Sequence, residues 1–375
     1  AAPRRTECSS PRLGAETMGG ITAATASAIG GMALLLPAAR GPEYVPPRGY
    51  VCYRAPGPVD IDGRLGKAVW AAAPWTEDFG DIEGDVKPPP PLRTRAKMLW
   101  DDEFFYVGAE LEEPHVWATL TEHDSVIFHD NDFEIFIDPD GDSHEYYEIE
   151  LNALGTEWDL RLPKPYRDGG SAVNEWEIPG LRLAVHVEGT LNDPSDIDRF
   201  WSVEIAFPWS ALGGFAGVPC PPRHGDQWRI NFSRVEWQTT VQDGRYVKVP
   251  GRPEDNWVWS PQHVVDMHRP ETWGYVQFST AEPGRDAFVP DPSGPGRWVL
   301  HRVYYAQQDF REANGVWART LGDLGLEGLT HDSIAEGPEL RQTAAGWEAD
   351  VRIGAEVGAA VWRIREDSRI WRPKV

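Results

Sequence analysis

The sequence predicts an all-β protein, an antiparallel β-sandwich of the jelly-roll type, and three observations support that fold class. Short stretches in which apolar and polar residues alternate recur along the chain, without helical periods between them. The chain contains 33 Pro and 37 Gly, which indicates many turns rather than long helices. Its 18 Trp supply broad apolar faces, either for a large core or for stacking against a ligand.

The clearest strands lie between Asp130 and Asn152, on either side of an acidic loop. Apolar residues occupy every second position in both strands, which is the pattern of a hairpin with one buried face. We expect the core face to carry Phe133, Ile135, Ile137, Tyr147, Ile149 and Leu151. The opposite face carries Glu134, Glu148 and Glu150, and we expect a ligand to lie there.

Further strands and turns follow at short spacing on both sides of this hairpin. A helical turn at residues 67–70 is expected to bury Trp70, and we assign Trp100 and Trp201 to the core because they alternate with polar neighbours. The other predicted strands are residues 95–100, 104–111, 158–162, 181–187, 201–207, 228–237, 246–249 and 275–278.

Composition divides the 375 residues into four segments. Residues 1–45 are rich in Ala, Gly and Thr, and we interpret them as a disordered or residual targeting segment. The sandwich covers residues 46–280, a Pro/Gly linker covers residues 281–297, and residues 298–375 are expected to form a small α+β extension. Within that extension the pattern predicts an amphipathic helix over residues 303–324 and a closing hairpin of residues 347–353 and 360–364.

The formal net charge of −23 argues against a nucleic-acid partner, because phosphate binding depends on Lys and Arg. The weakly apolar run at residues 18–39 is too short and too glycine-rich for a membrane span, so we expect no membrane insertion. An excess of carboxylates suits a secreted, periplasmic or cell-envelope protein, and we expect a monomer. The three cysteines, Cys8, Cys52 and Cys220, have no metal-ligand spacing, and a disulfide between Cys52 and Cys220 stays open.

Six groups of short motifs occur in an order and spacing that resembles the family 9 carbohydrate-binding modules, over about residues 55–280. They are Asp60–Gly63 with Ala68–Trp70, Met98–Asp102 before Phe105–Val107, Asp132–Asp138, Trp201–Trp209, Gly225–Asn231 and Trp273–Tyr275. The resemblance implies a β-sandwich, structural calcium in some members, and attachment to systems that degrade xylan or cellulose. It therefore predicts a non-catalytic protein, such as an accessory module to a glycoside hydrolase, that binds a polysaccharide or its chain ends.

Sugar binding needs aromatic rings that stack on a pyranose and polar groups that bond to its hydroxyls. By the resemblance, Phe128 lies near the first aromatic position and Glu134 at the carboxylate of the central strand. Glu150 stands where sugar-binding members offer an arginine. The other candidates for the site are Asn231, Trp237, Trp257 and Trp259. Trp257 is preferred as the second ring, followed by Trp237, although core packing is the more frequent role for any single Trp.

The loop of the central hairpin is a candidate calcium site. Asp138, Asp140 and Asp142 alternate around a glycine there, so their oxygens can turn towards one hard cation. Calcium prefers six to eight oxygen ligands, so backbone carbonyls or more distant acids would have to contribute. A solvated acidic turn is the alternative interpretation.

Two other classes of function stay open. Haem b domains occur in the same sandwich superfamily, and Met98, Met267 and His268 would be the candidate iron ligands. A module without a ligand could instead mediate protein contacts at the cell surface. A glycosidase would need two carboxylates across a bound sugar; Glu148 and Glu150 allow that spacing, but no other catalytic motif occurs in the sequence.

Overall fold

The computed structural model describes residues 44–354 and 360–374. Except for its last two residues, the segment predicted to be disordered lies outside the described residues, as does Cys8. The strands are β1 (Gly49–Arg54), β2 (Gly80–Asp81), β3 (Thr94–Trp100), β4 (Phe104–Glu112), β5 (Asp132–Asp138), β6 (Tyr146–Asn152), β7 (Glu157–Leu162), β8 (Arg182–Glu188), β9 (Phe200–Pro208), β10 (Gln227–Glu236), β11 (Thr239–Gln242), β12 (Arg245–Lys248), β13 (Asp255–Val258), β14 (Gly274–Ser279), β15 (Ile334–Gln342), β16 (Trp347–Ile353), β17 (Ala360–Arg365) and β18 (Ile370–Trp371).

Helical structure is confined to short turns and one long helix in the described residues. The α-helices are α1 (Trp209–Leu212) and α2 (Gly294–Asn314). Single 3₁₀ turns lie at Ala68–Ala72, Gly84–Val86, Ile127–His129, Tyr166–Asp168 and Pro270–Thr272. The fold is therefore mostly β, as the sequence predicts.

One curled sheet provides both layers of the sandwich. The strand order is β7-β6-β5-β10-β14-β1-β3-β4-β9-β8, and side chains from both ends of this order meet in a single core. β1 joins the two halves, because its residues 49–53 run parallel to β14 while Tyr53 and Arg54 run parallel to β3. The other strand pairs of the described sheets are antiparallel.

The central hairpin, β5 and β6, is buried on both faces. All six residues predicted for its core face lie in the main core together with Trp100 and Trp201, and Trp70 is buried in a neighbouring cluster. The prediction of a single buried face is wrong, since every residue of β5 and β6 is buried. The second face is covered because Leu160 and Leu162 of β7 and Trp273 pack on it.

A buried carboxylate fixes the N-terminal motif of the sandwich to β9. Glu204 is 0% exposed and accepts hydrogen bonds from the backbone N–H groups of Asp62 and Gly63, both at 2.8 Å. Trp70 Nε1 also donates to it at 2.5 Å, and Lys67 Nζ lies 2.5 Å from it. Four donors, one of them charged, offset the cost of removing this carboxylate from water.

The C-terminal residues form helix α2 and the four-stranded sheet β15-β16-β17-β18, which share a hydrophobic core. The helix begins nine residues before the predicted range 303–324 and ends at Asn314. It ends there because Gly315 takes a left-handed conformation, φ 73°, and donates its N–H to the Arg311 carbonyl. The predicted hairpin of residues 347–353 and 360–364 is confirmed as β16 and β17.

These C-terminal elements contact the sandwich at the acidic loop after β5. Arg369 Nε lies 2.9 Å from Asp142 Oδ2, and the backbone N–H of Ile370 donates to the Asp142 carbonyl at 3.0 Å. His144 Nε2 also lies 2.9 Å from the Asp367 carbonyl oxygen. The loop that the sequence suggests for calcium is therefore also a contact point for the C-terminal region.

Cys52 is a buried free thiol and Cys220 is a partly buried one, so these two cysteines are not joined. Among the described residues, no helix has both the length and the apolar character needed to cross a membrane.

Replacing Glu204 is expected to destabilise the sandwich strongly. Glu204→Ala leaves Trp70 Nε1 and two backbone N–H groups without their acceptor, and should lower the free energy of unfolding by about 3 kcal/mol. Urea denaturation of the full chain measures this loss. Glu282→Ala is the control, because Glu282 is an exposed glutamate and its loss should cost less than about 0.5 kcal/mol. Equal losses in the two variants would contradict the structural role of Glu204.

Candidate functional site

A cleft of about 190 Å³ lies on the outer face of β5 and β6, where carboxylates and aromatic rings meet. Its carboxylates come from Glu134, Glu148, Glu150 and Glu254, and its rings from Phe128, Phe136, Trp158, Tyr166 and His268. Strand register explains this grouping, since Glu134 lies directly opposite Glu150, and Glu150 lies opposite Trp158. Three predicted site residues, Phe128, Glu134 and Glu150, are thus brought together here.

Larger depressions on the surface have fewer aromatic rings in their lining. One depression of about 720 Å³ beside His123 has no Phe, Tyr or Trp in its lining. A groove of about 580 Å³ contains Trp75, but Arg95 and Lys97 hold their cationic groups 4.0 and 4.1 Å from the centre of that ring. The smaller cleft on β5 and β6 is therefore the better candidate for stacking against a ligand.

The three strand carboxylates of the cleft are buried and have no Lys or Arg as an ion-pair partner in the described structure. Glu134, Glu148 and Glu150 are 5%, 4% and 2% exposed. The nearby arginines have other partners: Arg167 pairs with Glu271, and Arg234 pairs with Glu113 and Glu236.

Burial and mutual repulsion change the acidity of these groups. Burial raises the pKa of Glu134 to about 7. It raises the pKa of Glu148 and Glu150 well above the ordinary range, and the neighbouring negative charge of Glu134 adds to both shifts. The cleft therefore favours hydrogen-bond donors and positive charge.

The rim of the cleft is held by hydrogen bonds to the segment before β5. Glu150 Oε2 accepts from the Phe128 backbone N–H at 2.9 Å, and Trp237 Nε1 donates to the Phe128 carbonyl at 2.8 Å. The Trp237 backbone N–H donates to Asn131 Oδ1 at 2.7 Å. Lys248 Nζ lies 3.4 Å from the centre of the Trp237 ring, so one face of that ring is already covered. Trp237 is therefore a rim residue that positions Phe128.

Two of the predicted aromatic residues are placed elsewhere. Trp257 and Trp259 are 4% and 0% exposed and belong to the main core, so neither ring can stack on a ligand in this structure. Trp257 lies in β13 opposite Arg234 of β10, although the sequence suggested a loop. Asn231 is 0% exposed, and its side-chain amide bonds to the backbone of Ser260 in both directions. Asn231 therefore supports the loop after β13.

Sequence reasoning did not assign eight of the residues that line the cleft to a sugar site: Phe136, Trp158, Tyr166, Val235, Glu254, Asn256, Met267 and His268. Trp158 is partly buried, and its Nε1 has no hydrogen-bond partner among the described residues. Tyr166 is 44% exposed, and its ring lies 4.5 Å from that of His268. Burial lowers the pKa of His268 to about 4, so this ring is neutral at pH 7. Phe136 could have been found in advance, because it lies two positions after Glu134 and therefore on the same face of the strand.

The acidic loop after β5 brings three carboxylates together at a distance from the cleft. Oxygens of Asp138, Asp140 and Asp142 lie within 4.8 Å of one another. Burial raises the pKa of Asp138 well above its ordinary range and that of Asp140 to about 7, with neighbouring carboxylates adding to both shifts. The oxygen donors suit a hard cation such as calcium. Arg369 already supplies one positive charge, at Asp142.

The candidate haem ligands are not brought together. Met98 is 0% exposed in the core between the two layers, whereas Met267 and His268 line the cleft on the outer face of the hairpin. His268 Nδ1 lies 3.0 Å from the Tyr146 hydroxyl, so this ring nitrogen is engaged in a hydrogen bond. A cleft of about 190 Å³ is also too small for a porphyrin.

Removing the charge of Glu134 should alter how stability depends on pH. The pKa of Glu134 is about 7 in the folded protein, against a reference value of 4.5. Because the folded protein holds this proton more tightly than the unfolded chain, protonated Glu134 contributes its full stabilisation below the reference value. That stabilisation is lost as the pH rises through the pKa of Glu134 in the folded protein. In the presence of a chelator, the Tm of Glu134→Gln should therefore exceed that of the wild type by a margin that grows between about pH 5 and about pH 8.

Thermal denaturation at a series of pH values measures this margin. Glu282→Gln, at an exposed glutamate, serves as the control and should show no margin that grows with pH. A margin for Glu134→Gln that stays constant or shrinks with rising pH would contradict the assignment of Glu134 as a buried, unpaired acid.

The comparisons with known proteins agree with the motifs of the sequence. The family described as carbohydrate family 9 binding domain-like matches residues 61–216. No curated protein matches the chain. Among solved structures, it is similar to a candidate carbohydrate-binding protein from Bacteroides uniformis, with 16% identity over 62% of this chain and 100% of the other, at a TM-score of 0.45.

It is also similar to a family 9 carbohydrate binding module from Caldicellulosiruptor kristjanssonii in two complexes. The complex with cellotriose has 14% identity over 65% of this chain and 100% of the other, with a TM-score of 0.38. The complex with glucose has 15% identity over 63% and 100%, with a TM-score of 0.37. The match of the family model confirms the resemblance that the motifs predict, and it covers residues 61–216 of the chain.

Proposed function

We propose that this protein is a non-catalytic carbohydrate-binding protein whose cleft on β5 and β6 takes the end of a saccharide chain. One observation carries the proposal: partly exposed aromatic rings and buried carboxylates line the same cleft, within the part of the chain that matches a carbohydrate-binding family. This combination meets both needs of sugar recognition, which are apolar faces for the ring and polar groups for its hydroxyls.

The rings at the mouth of the cleft are suited to stacking. Phe128 and Trp158 are partly buried, and Tyr166 is 44% exposed, so each retains surface that a ligand can cover. Phe128 is held in place from both sides, by Glu150 at its N–H and by Trp237 at its carbonyl. A residue whose backbone is already fixed loses less conformational freedom when a sugar binds.

The polar groups favour a ligand rich in hydroxyls. Glu134 and Glu150 can accept hydrogen bonds from sugar hydroxyls, and Trp158 Nε1 is a donor that has no partner among the described residues. The cleft, about 190 Å³, is smaller than the pockets of roughly 300–1,000 Å³ that enclose drug-sized ligands. This size supports the recognition of one or two sugar units at a chain end.

The same proposal gives the biological setting. We infer that the ligand is a plant-type polysaccharide such as xylan or cellulose, and that the protein acts as a monomer in carbohydrate catabolism outside the cytoplasm, in a secreted, periplasmic or cell-envelope location. The sandwich is of the jelly-roll type, and residues 298–375 form an α+β extension attached to it. The strong excess of acidic residues is consistent with this setting.

The carboxylates support binding rather than hydrolysis. A glycosidase keeps one carboxyl protonated and the other ionised at its working pH. Burial raises the pKa of both Glu148 and Glu150 well above the ordinary range, so this pair is not divided into an acid and a base. Both side chains are also almost completely buried.

Saccharide binding should depend on the cleft residues. Isothermal titration with cello-oligosaccharides and xylo-oligosaccharides is expected to detect binding by the wild type that weakens by about tenfold or more in Phe128→Ala and Glu134→Gln. Phe215→Ala is the matched control, because Phe215 is a 42% exposed ring that lies outside the cleft. Absence of binding to every glycan would favour a surface module without a ligand, and equal affinities in all variants would place the sugar elsewhere.

We also propose a structural calcium ion at Asp138, Asp140 and Asp142. Close oxygens from three side chains support it, although Arg369 shares the loop. Calcium should raise the Tm of chelator-treated protein, and Asp140→Asn should reduce that rise because it removes a carboxylate whose main neighbours are acidic. Asp196→Asn, at an exposed aspartate, is the control. A calcium response unchanged in Asp140→Asn would rule out this loop.

A further inference from the structure

One histidine and three carboxylates form a cluster outside the cleft, which we call the His123 cluster. Ligand atoms of His123, Asp124, Asp159 and Glu177, one from each residue, lie within 4.8 Å of one another. Three of these side chains are exposed, whereas Asp159 is buried, with 2% of its surface accessible. None of the four residues lines the cleft on β5 and β6. The cluster is therefore a separate feature of the sandwich.

Three segments of the chain bring the cluster together. The turn that carries the first two ligands is tied to β7, because the Asp124 backbone N–H donates to the Glu157 carbonyl at 3.1 Å. Asp159 lies in β7, two positions after Glu157. Glu177 lies in the loop before β8, where the neighbouring Trp176 packs against the main core. Backbone pairing and core packing thus hold the three segments side by side.

An unpartnered oxygen of Asp159 is the observation that points to a ligand. Asp159 Oδ1 is buried and has no hydrogen-bond partner in the described structure. A hydrogen bond from the Ile178 backbone reaches the carboxylate but leaves that oxygen without a donor. Burying a carboxylate oxygen without a partner is costly. Its place beside three other ligand groups favours a cation as the missing partner.

The cations of the protein do not balance the charge of this cluster. In the described residues, no Lys or Arg forms an ion pair with Asp124, Asp159 or Glu177. The imidazole of His123 contacts the carboxylates instead, and its Nδ1 also lies 3.9 Å from Glu157 Oε1. Burial and the neighbouring charges of Glu177 and Glu157 raise the pKa of Asp159 to about 6. One imidazole facing four carboxylates leaves net negative charge even when it is protonated.

We propose that the His123 cluster binds one zinc ion. Imidazole nitrogen and carboxylate oxygen are both zinc ligands, whereas calcium takes oxygen ligands. Zinc bonds of about 2.0–2.2 Å place neighbouring ligand atoms of a tetrahedral site about 3.3–3.6 Å apart. His123 Nε2 lies 3.4 Å from Asp124 Oδ1 and 3.3 Å from Glu177 Oε2, which agrees with that spacing. The imidazole also distinguishes this site from the acidic loop after β5, where the donors are oxygens.

Zinc titration of the chelator-treated full chain in excess calcium tests the proposal by calorimetry. Excess calcium competes for sites with oxygen donors, so zinc bound at an imidazole is measured separately. We expect one zinc equivalent in the wild type, bound about tenfold or more weakly in His123→Ala and Asp159→Asn. Glu177→Gln should weaken it too, and this variant should fold normally because the Glu177 side chain is 57% exposed.

His331→Ala is the matched control, because His331 is an exposed histidine outside the cluster, and this variant should bind zinc as the wild type does. The proposal is overturned if zinc does not bind, if excess calcium displaces it, or if His123→Ala and Glu177→Gln both bind zinc as the wild type does. Loss of the zinc equivalent in His331→Ala would also overturn it. Failure of saccharide binding would leave the zinc site standing, since its ligands lie outside the cleft.

Discussion

Burial of the β5–β6 hairpin on both faces is the constraint on which the rest of this structure depends. One face supplies six apolar residues to the core between the layers. The other holds Glu134, Glu148 and Glu150 in a covered cleft, where the medium raises their pKa values. A shift of register by one residue would exchange these two faces, so the core itself fixes which carboxylates line the cleft.

Two kinds of buried carboxylate separate stability from function in this protein. Glu204 accepts from two backbone N–H groups and Trp70, and has Lys67 beside it, so its needs are met within the fold. Glu134 keeps one oxygen without a partner and faces other acids. This contrast supports the proposed ligand site at Glu134 rather than at Glu204.

The alternation of residues was enough to predict the core face of the central hairpin and the burial of Trp70, Trp100 and Trp201. It could not predict what covers the outer face. A two-residue period shows on which face of a strand a side chain lies, but not which residues pack against that face. Leu160, Leu162 and Trp273 cover it from other parts of the chain. The same limit applies to the cleft, where Trp158 and Tyr166 come from segments whose pairing decides their role.

Trp257 illustrates the limit most clearly, since its sequence neighbours suggested a loop and an exposed ring. Its position opposite Arg234 in a paired strand turns that ring into the core, while Trp158 has an indole N–H without a partner at the cleft. The large number of Trp residues made stacking against a sugar plausible, but it did not identify which Trp ring would stack. Long-range strand pairing decides between the two roles, and a single sequence does not contain it directly.

The most direct test of a saccharide cleft on β5 and β6 is the response of the indole N–H resonances in ¹⁵N-labelled protein titrated with cello- and xylo-oligosaccharides, with each resonance assigned from a Trp→Phe variant. The signal of Trp158 should move progressively with added ligand, while those of the buried Trp257 and Trp259 stay in place. Shifts confined to Trp75 or to other tryptophans away from the cleft, with Trp158 unchanged at saturation, would contradict the proposed site.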